Sequence, residues 1–79
     1  MTEQQIQSKK IKELEEQGYY VIKLTKTNKN GIPDLIAIPK ESDVLFIEVK
    51  TQKGRLSPLQ KYRIKELESY GIKVDVHRG

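Results

Sequence analysis

Two short apolar stretches in the middle of the chain are each bordered or interrupted by charged residues that suit metal and phosphate chemistry. Asp34 precedes the run Leu-Ile-Ala-Ile, and Glu48 and Lys50 lie within the run Leu-Phe-Ile-Glu-Val-Lys. An isolated Glu-x-Lys on a strand usually belongs to a solvated face. Here both faces of the second run are apolar, and charges in such a strand are costly unless they are paired or bind an ion.

The spacing of these residues predicts that they meet at one point. Glu48 and Lys50 share a strand face and are separated by about 6–7 Å. A tight hairpin between the two runs places Ile36 opposite Phe46 and Asp34 opposite Glu48, with Cβ atoms roughly 4.5–5.5 Å apart. A divalent cation between the two carboxylates would replace their repulsion by attraction, and Lys50 would reach the same phosphate or the attacking water. We therefore expect a metal-dependent phosphodiester-cleaving site, although a shift of register by one residue would separate the two acids.

Length and composition indicate one small globular domain covering residues 1–79. The chain is 35% hydrophobic and 33% charged, but its apolar residues are clustered and periodic, which argues against disorder. It contains no cysteine, and therefore no disulfide and no thiolate metal site. The absence of a membrane-length apolar stretch and of a signal-peptide pattern predicts a soluble, intracellular protein with no membrane partner.

The basic residues indicate a polyanionic partner. The net charge is +4, and two basic clusters flank the proposed site. Lys26 and Lys29 precede Asp34, while Lys53 and Arg55 follow Lys50. Side chains of this type contact nucleic-acid phosphates without reading sequence. Lysines in loops are also ordinary solubilising residues, so these four positions are candidates for nucleic-acid binding.

Hydrophobic periodicity and capping signals predict the order α-β-β-β-α-β. Helices are expected at residues 3–17 and from Pro58 to the position before Gly71, each opened by a capping-box pattern. Strands are expected at residues 19–25, 34–39, 43–51 and 72–77, with the last strand parallel to a neighbour. The predicted fold is a small α/β structure with a mixed four-stranded sheet flanked by helices.

Two helical residues could extend the site. Glu3 projects toward the core side of the first helix, but a glutamate in a first turn also simply favours the helix dipole. Gln60 lies on the inner arc of the second helix, which also includes Leu59 and Tyr70, and it could point toward the acids or serve only as the capping-box partner of Ser57. His77, the only histidine, lies on the polar face of the last predicted strand, with Lys73 and Asp75, and is expected to have no catalytic role.

The combined pattern resembles the PD-(D/E)xK nuclease superfamily and, within it, the VRR-NUC family. Three segments carry the resemblance: Gly-Ile-Pro-Asp-Leu at 31–35, Phe-Ile-Glu-Val-Lys at 46–50 and Gly-Arg-Leu-Ser-Pro-Leu-Gln at 54–60. The Asp and Glu-x-Lys elements alone are weak signals, whereas their combination with the third segment is specific. The resemblance covers nearly the whole chain and implies a restriction-endonuclease-like core.

The resemblance also implies roles for individual residues. Mg²⁺ or Mn²⁺ would be bound by Asp34, Glu48 and the backbone carbonyl of Val49, and Lys50 would position or activate the nucleophilic water. Glu3 matches the acid of the family's first helix, and Gln60 matches the glutamine of its second helix.

Three functions follow as hypotheses. The first is a structure-selective DNA endonuclease, bacterial or phage-encoded, that acts as a homodimer on branched DNA such as four-way (Holliday) junctions, since stand-alone members of the family resemble junction resolvases. The second is a non-catalytic nucleic-acid-binding module that retains the nuclease fold. The third is a small structural partner in a larger replication or packaging complex.

Overall fold

The computed structural model describes all residues from Met1 to Gly79. Its elements are α1 (Glu3–Glu16), β1 (Tyr20–Lys23), β2 (Leu35–Ile38), β3 (Leu45–Lys50), α2 (Pro58–Ser69) and β4 (Lys73–Arg78). The predicted order α-β-β-β-α-β is therefore confirmed. β1 has four residues instead of seven, because the chain leaves the sheet after Lys23 to form a long loop, and β3 has six residues instead of nine. Neither helix has the length and apolar character needed to cross a bilayer.

The sheet is mixed, with the strand order β1-β2-β3-β4. β1 and β2 are antiparallel, β2 and β3 form the predicted antiparallel hairpin, and β4 lies parallel to β3 after the α2 crossover. The hairpin pairs Ile36 with Phe46, as predicted. Continuing this register by two residues places Asp34, the residue immediately before β2, opposite Glu48.

The core lies between α1 and one face of the sheet. Ile6 and Leu14 of α1 pack against fully buried residues of the two central strands, Leu35 and Ala37 in β2 and Ile47 and Val49 in β3. The other central-strand face carries Ile36, Phe46, Glu48 and Lys50, because side chains alternate along a strand. Both faces of β3 are thus used, one for packing and one for charged groups.

The second helix covers the opposite face only in part. α2 packs mainly over β4, and none of its residues is fully buried. Ile64 and Leu67 are half-buried, whereas Leu59 and Tyr70 are 42% and 82% exposed, so the predicted inner arc was wrong at these two positions. Tyr20 and Ile22 of β1 also remain exposed on this side of the sheet.

Candidate active site

Two carboxylates and a lysine are gathered where β2 begins and β3 ends. Glu48 is only 2% exposed and Lys50 only 8% exposed, although both are charged residues. Burial of this degree is rare for Glu and Lys unless they are paired. Asp34, half-buried, precedes β2 on the same side of the sheet. The hairpin register predicted from the sequence is what brings the two acids together.

The Asp34 carboxylate is oriented by the backbone of the neighbouring strand. Its Oδ2 accepts a hydrogen bond of 2.8 Å from the N–H of Val49. Its backbone carbonyl accepts a second bond of 2.8 Å from the N–H of Leu24, which closes the loop that precedes β2. Pro33, which is buried and lacks an N–H, sits immediately before Asp34 where the chain enters the sheet. The acid is therefore held by β3 on one side and by the end of β1 on the other.

Gln60 connects the start of α2 to the second acid. Its Oε1 accepts a hydrogen bond of 2.9 Å from the N–H of Ser57, and its own N–H donates to the Ser57 hydroxyl, which completes a capping box. Its Nε2 donates to Oε2 of Glu48 at 3.4 Å. The two roles that the sequence left as alternatives for Gln60 are therefore both present, one on each atom of the same amide.

The environment of Glu48 disfavours its negative charge. Burial first of all, and then the hydrogen bond and the charge of the adjacent Asp34 carboxylate, together raise the pKa of Glu48 to about 8, while the ammonium of Lys50 acts in the opposite direction. When Glu48 is ionised, its Oε1 is buried and has no hydrogen-bond partner in the protein. A buried, unpartnered carboxylate oxygen is costly unless a proton or a cation satisfies it.

Glu3 approaches the site from the first turn of α1. Its Oε2 lies 4.0 Å from Nζ of Lys50, while its side chain stays 45% exposed. Glu3 thus lies at the solvent-facing rim of the site rather than within the core. Its N-cap neighbour Thr2 forms a capping box with Gln5, which fixes the start of this helix.

The donor set fits a hard divalent cation that retains water ligands. No group of three or more His, Cys, Asp or Glu side chains is close enough to bind a metal alone. Asp34 and Glu48 nevertheless provide two adjacent carboxylates, and the free Oε1 of Glu48 is the orphaned atom that a cation would satisfy. Mg²⁺ is commonly bound by one or two carboxylates together with water and substrate phosphate.

The whole chain matches one family of nucleases. The family model described as VRR-NUC domain matches residues 2–79. This chain belongs to the VRR-NUC family. A solved structure of a VRR_NUC domain is similar over 100% of this chain and 86% of its own length, with 28% sequence identity and a TM-score of 0.86. A comparison with curated proteins found no match.

The family assignment confirms the resemblance predicted from the sequence and makes the chain a nuclease-fold module. VRR-NUC domains are generally nucleases, which is consistent with the acids and lysine described above. The mixed four-stranded sheet and the element order are those of the family's fold.

The four predicted nucleic-acid-binding residues lie in the two loops that flank this VRR-NUC site. Lys26 and Lys29 line a cavity in the loop between β1 and β2. Lys53 and Arg55 are exposed in the segment between Lys50 and α2. That these four residues bind nucleic acid stays a prediction.

Two arginines that hold these loops were not predicted from the sequence. Nε of Arg63 donates to the carbonyl of Asn30 at 2.8 Å, which ties α2 to the β1–β2 loop. Nη1 of Arg78 donates to the carbonyls of Thr51 and Gly54, which ties the end of β4 to the loop after Lys50. Arg63 follows Gln60 by three residues and so shares its helix face, a signal that could have been used. Arg78 has no comparable signal in the sequence.

Proposed function

We propose that this protein is a metal-dependent endonuclease that cleaves phosphodiester bonds in branched DNA. The observation that carries the proposal is the Glu48 carboxylate, which is buried beside Asp34 with one oxygen unpartnered. A purely structural role would favour an apolar residue at this position, because burying a lone carboxylate destabilises a fold. The arrangement is instead suited to binding a cation next to a substrate phosphate.

Asp34 and Glu48 would hold Mg²⁺ or Mn²⁺, and the backbone carbonyl of Val49 is the third proposed ligand. A divalent ion bound there would polarise the scissile phosphate and lower the pKa of a coordinated water. The N–H of Val49 donates to Oδ2 of Asp34, so the other carboxylate oxygen, Oδ1, is left to bind the cation. Glu48 likewise retains Oε1, since Gln60 contacts Oε2.

The other residues would position the substrate and stabilise charge. Lys50, whose side chain shares the strand face of Glu48, supplies a compact positive charge for the negative charge that develops on the phosphate. Gln60 fixes the orientation of Glu48 by its amide donor. Glu3 lies 4.0 Å from the Lys50 ammonium at the rim and would help to hold it in position.

Recognition of a four-way junction is proposed to come from a homodimer. The chain exposes apolar residues on the side of the sheet that α2 leaves partly uncovered, among them Tyr20 and Ile22. A two-fold dimer would present two identical sites to a substrate of matching symmetry. Lys53 and Arg55 beside each site would add phosphate contacts.

The test is a cleavage panel of four-way junction, flap, splayed-arm and plain duplex DNA with Mg²⁺ or Mn²⁺. We expect nicking of the branched substrates that stops in EDTA. Lys50→Ala should lower the cleavage rate by at least about 100-fold, since it removes one charge that stabilises the transition state. Glu48→Ala should abolish cleavage at the same metal concentration.

Matched controls are provided by Lys73→Ala and Asp75→Asn. Both residues are exposed on β4 and pair with Leu45 and Ile47, so they lie on the opposite face of the sheet from Glu48, and these variants should retain wild-type rates. Cleavage retained in Lys50→Ala or Glu48→Ala would overturn the proposal. Binding of branched DNA without any metal-dependent strand scission would instead favour the non-catalytic nucleic-acid-binding module.

A further inference from the structure

The loop between β1 and β2 forms an open, solvent-facing cavity outside the carboxylate site. The cavity measures about 300 Å³ and is lined by residues 24–27 and 29–32. This volume is far more than the roughly 10–15 Å³ that a single water molecule requires. Its lining is mostly polar, and Lys26 and Lys29 both contribute to it.

The charged side chains of the segment that forms this cavity are all positive. Between Glu16 and Asp34 the chain contains Lys23, Lys26 and Lys29 and no acidic residue. The cavity therefore carries positive charge. The segment that forms it leads directly, through Pro33, to the proposed catalytic residue Asp34. A ligand held here would need to be an anion to be favoured.

The backbone of the loop adds further donors. The N–H groups of Thr25, Lys26 and Thr27 have no hydrogen-bond acceptor within the protein. All three residues line the cavity. Backbone N–H groups are among the donors that contact nucleic-acid phosphates.

The loop is anchored at both of its ends, so the cavity is already formed without a ligand. The N–H of Leu24 bonds to the carbonyl of Asp34 at 2.8 Å, and Arg63 bonds to the carbonyl of Asn30. Gly31 packs so closely on Leu59 that a Cβ atom added there would lie 2.7 Å from the leucine Cγ. A preformed site loses less conformational entropy on binding than a flexible loop does.

We infer that this cavity binds a phosphodiester group of the substrate backbone next to the scissile phosphate, through Lys26, Lys29 and the free backbone N–H groups. The inference rests on the proposed function, because it assigns to the cavity a phosphate on the same DNA strand as the phosphate that is cleaved. It predicts that the loop contributes affinity and register, whereas the carboxylates contribute the chemistry.

The binding experiment compares two double variants with the same change of charge. Lys26→Gln with Lys29→Gln alters the cavity. Lys40→Gln with Lys73→Gln alters two exposed lysines at the other end of the sheet, where Lys73 pairs with Leu45. Affinity for a four-way junction is measured in EDTA over a series of salt concentrations, so that no strand is cut.

We expect the cavity variant to bind roughly tenfold more weakly than wild type and to reduce the slope of log K against log salt concentration by about 1–2, since each duplex phosphate contact contributes about 0.9. The control pair should retain a slope close to wild type. Junctions in which a single neutral methylphosphonate linkage is moved along the strand then locate the contact: one position of the linkage should weaken binding by wild type and leave binding by the cavity variant unchanged. Equal slopes for the two double variants, or no linkage with this behaviour, would overturn the inference.

A titration with inorganic phosphate separates the two sources of the ligand. Phosphate should shift the amide resonances of Thr25, Lys26 and Thr27, and junction DNA should displace it. Phosphate binding that DNA does not compete for would identify a site for free phosphate and would overturn the assignment to the substrate. Because none of these measurements requires cleavage, loss of the proposed nuclease activity and loss of this contact are distinguished.

Discussion

Glu48 is the residue whose surroundings are least compatible with its charge. It is enclosed by the hairpin, faces a second carboxylate and has one oxygen without a partner. Its pKa is raised to about 8, first of all because burial removes water from the charged form. In the absence of a cation, protonation is the way in which the folded protein relieves this cost.

The raised pKa predicts how stability depends on pH without metal. The folded protein binds this proton up to about pH 8, whereas the unfolded chain releases it near pH 4.5. The stabilisation is therefore complete below about pH 4.5 and is lost as the pH rises through about 8, by at most about 1.4 kcal/mol per pH unit. Chemical denaturation in EDTA of wild type and of Glu48→Gln, which cannot ionise, measures the difference. If the unfolding free energies of wild type and Glu48→Gln changed in parallel between pH 5 and 8, the expectation would be contradicted.

Gln60 offers a second test at the same scale. Gln60→Glu keeps an oxygen that can accept from Ser57, but it replaces the donor to Glu48 by a negative oxygen. We expect a loss of about 1–3 kcal/mol of unfolding free energy at pH 9 in EDTA, above the pKa of about 8 at which Glu48 ionises, because a buried acceptor then loses its partner and meets a like charge. Gln5→Glu is the control, since Gln5 occupies the same capping-box position in α1 but is exposed there. Its effect should stay within about 0.5 kcal/mol.

At the scale of elements, the hairpin and the helix starts were predictable and the loop anchors were not. The register follows from the alternation of side chains along Leu35–Ile38 and Leu45–Lys50, because a shift by one residue would bury the wrong face. Capping boxes are local signals, so Ser57 and Gln60 could be assigned from spacing alone. The spacing of Arg63 from Gln60 indicates its helix face, but its partner Asn30 and the contacts of Arg78 join segments more than 20 residues apart, which no local pattern encodes.

The contact between Gly31 and α2 gives an element-scale prediction. Gly31 has a φ of +80° and lies against Leu59, while Gly18 has a φ of +92° with nothing within 4 Å of an added Cβ. Gly18→Ala should cost about 1–2 kcal/mol of unfolding free energy from backbone strain alone. Gly31→Ala should cost about 1–3 kcal/mol more, because overpacking against Leu59 is added. Equal losses in urea denaturation would show that the close approach to Leu59 contributes nothing to stability.

At the scale of the whole molecule, the protein exposes more surface than a folded monomer of its mass usually does. Its accessible area is 5710 Å², against about 4,900 Å² from the general scaling of area with mass. The excess is close to the roughly 800 Å² that each partner buries in a standard interface. Tyr20 and Ile22 on the edge strand β1 contribute apolar side chains to it. These features support the proposed homodimer.

A single substitution on this edge tests the dimer. Ile22 is 40% exposed in the monomer, so Ile22→Lys should fold normally but bring two charged groups together in a two-fold interface built on β1. We expect sedimentation equilibrium to show a dimer for wild type and a monomer for Ile22→Lys. Val76→Lys, at a 38% exposed position on the opposite edge strand, should remain dimeric. A monomeric wild type, or loss of the dimer only in Val76→Lys, would exclude an interface on β1.

The position of β4 has a consequence for the order in which the protein becomes functional during translation. β3 carries Glu48 and Lys50, but its parallel partner spans residues 73–78, and the carbonyl of Lys50 accepts its hydrogen bond from the N–H of Gly79. Arg78 must also be present to hold the loop after Lys50. A nascent chain still attached to the ribosome at residue 72 would contain every proposed catalytic group and yet lack the strand that aligns them. The proposed site would thus remain unaligned until β4 has been synthesised and has paired with β3.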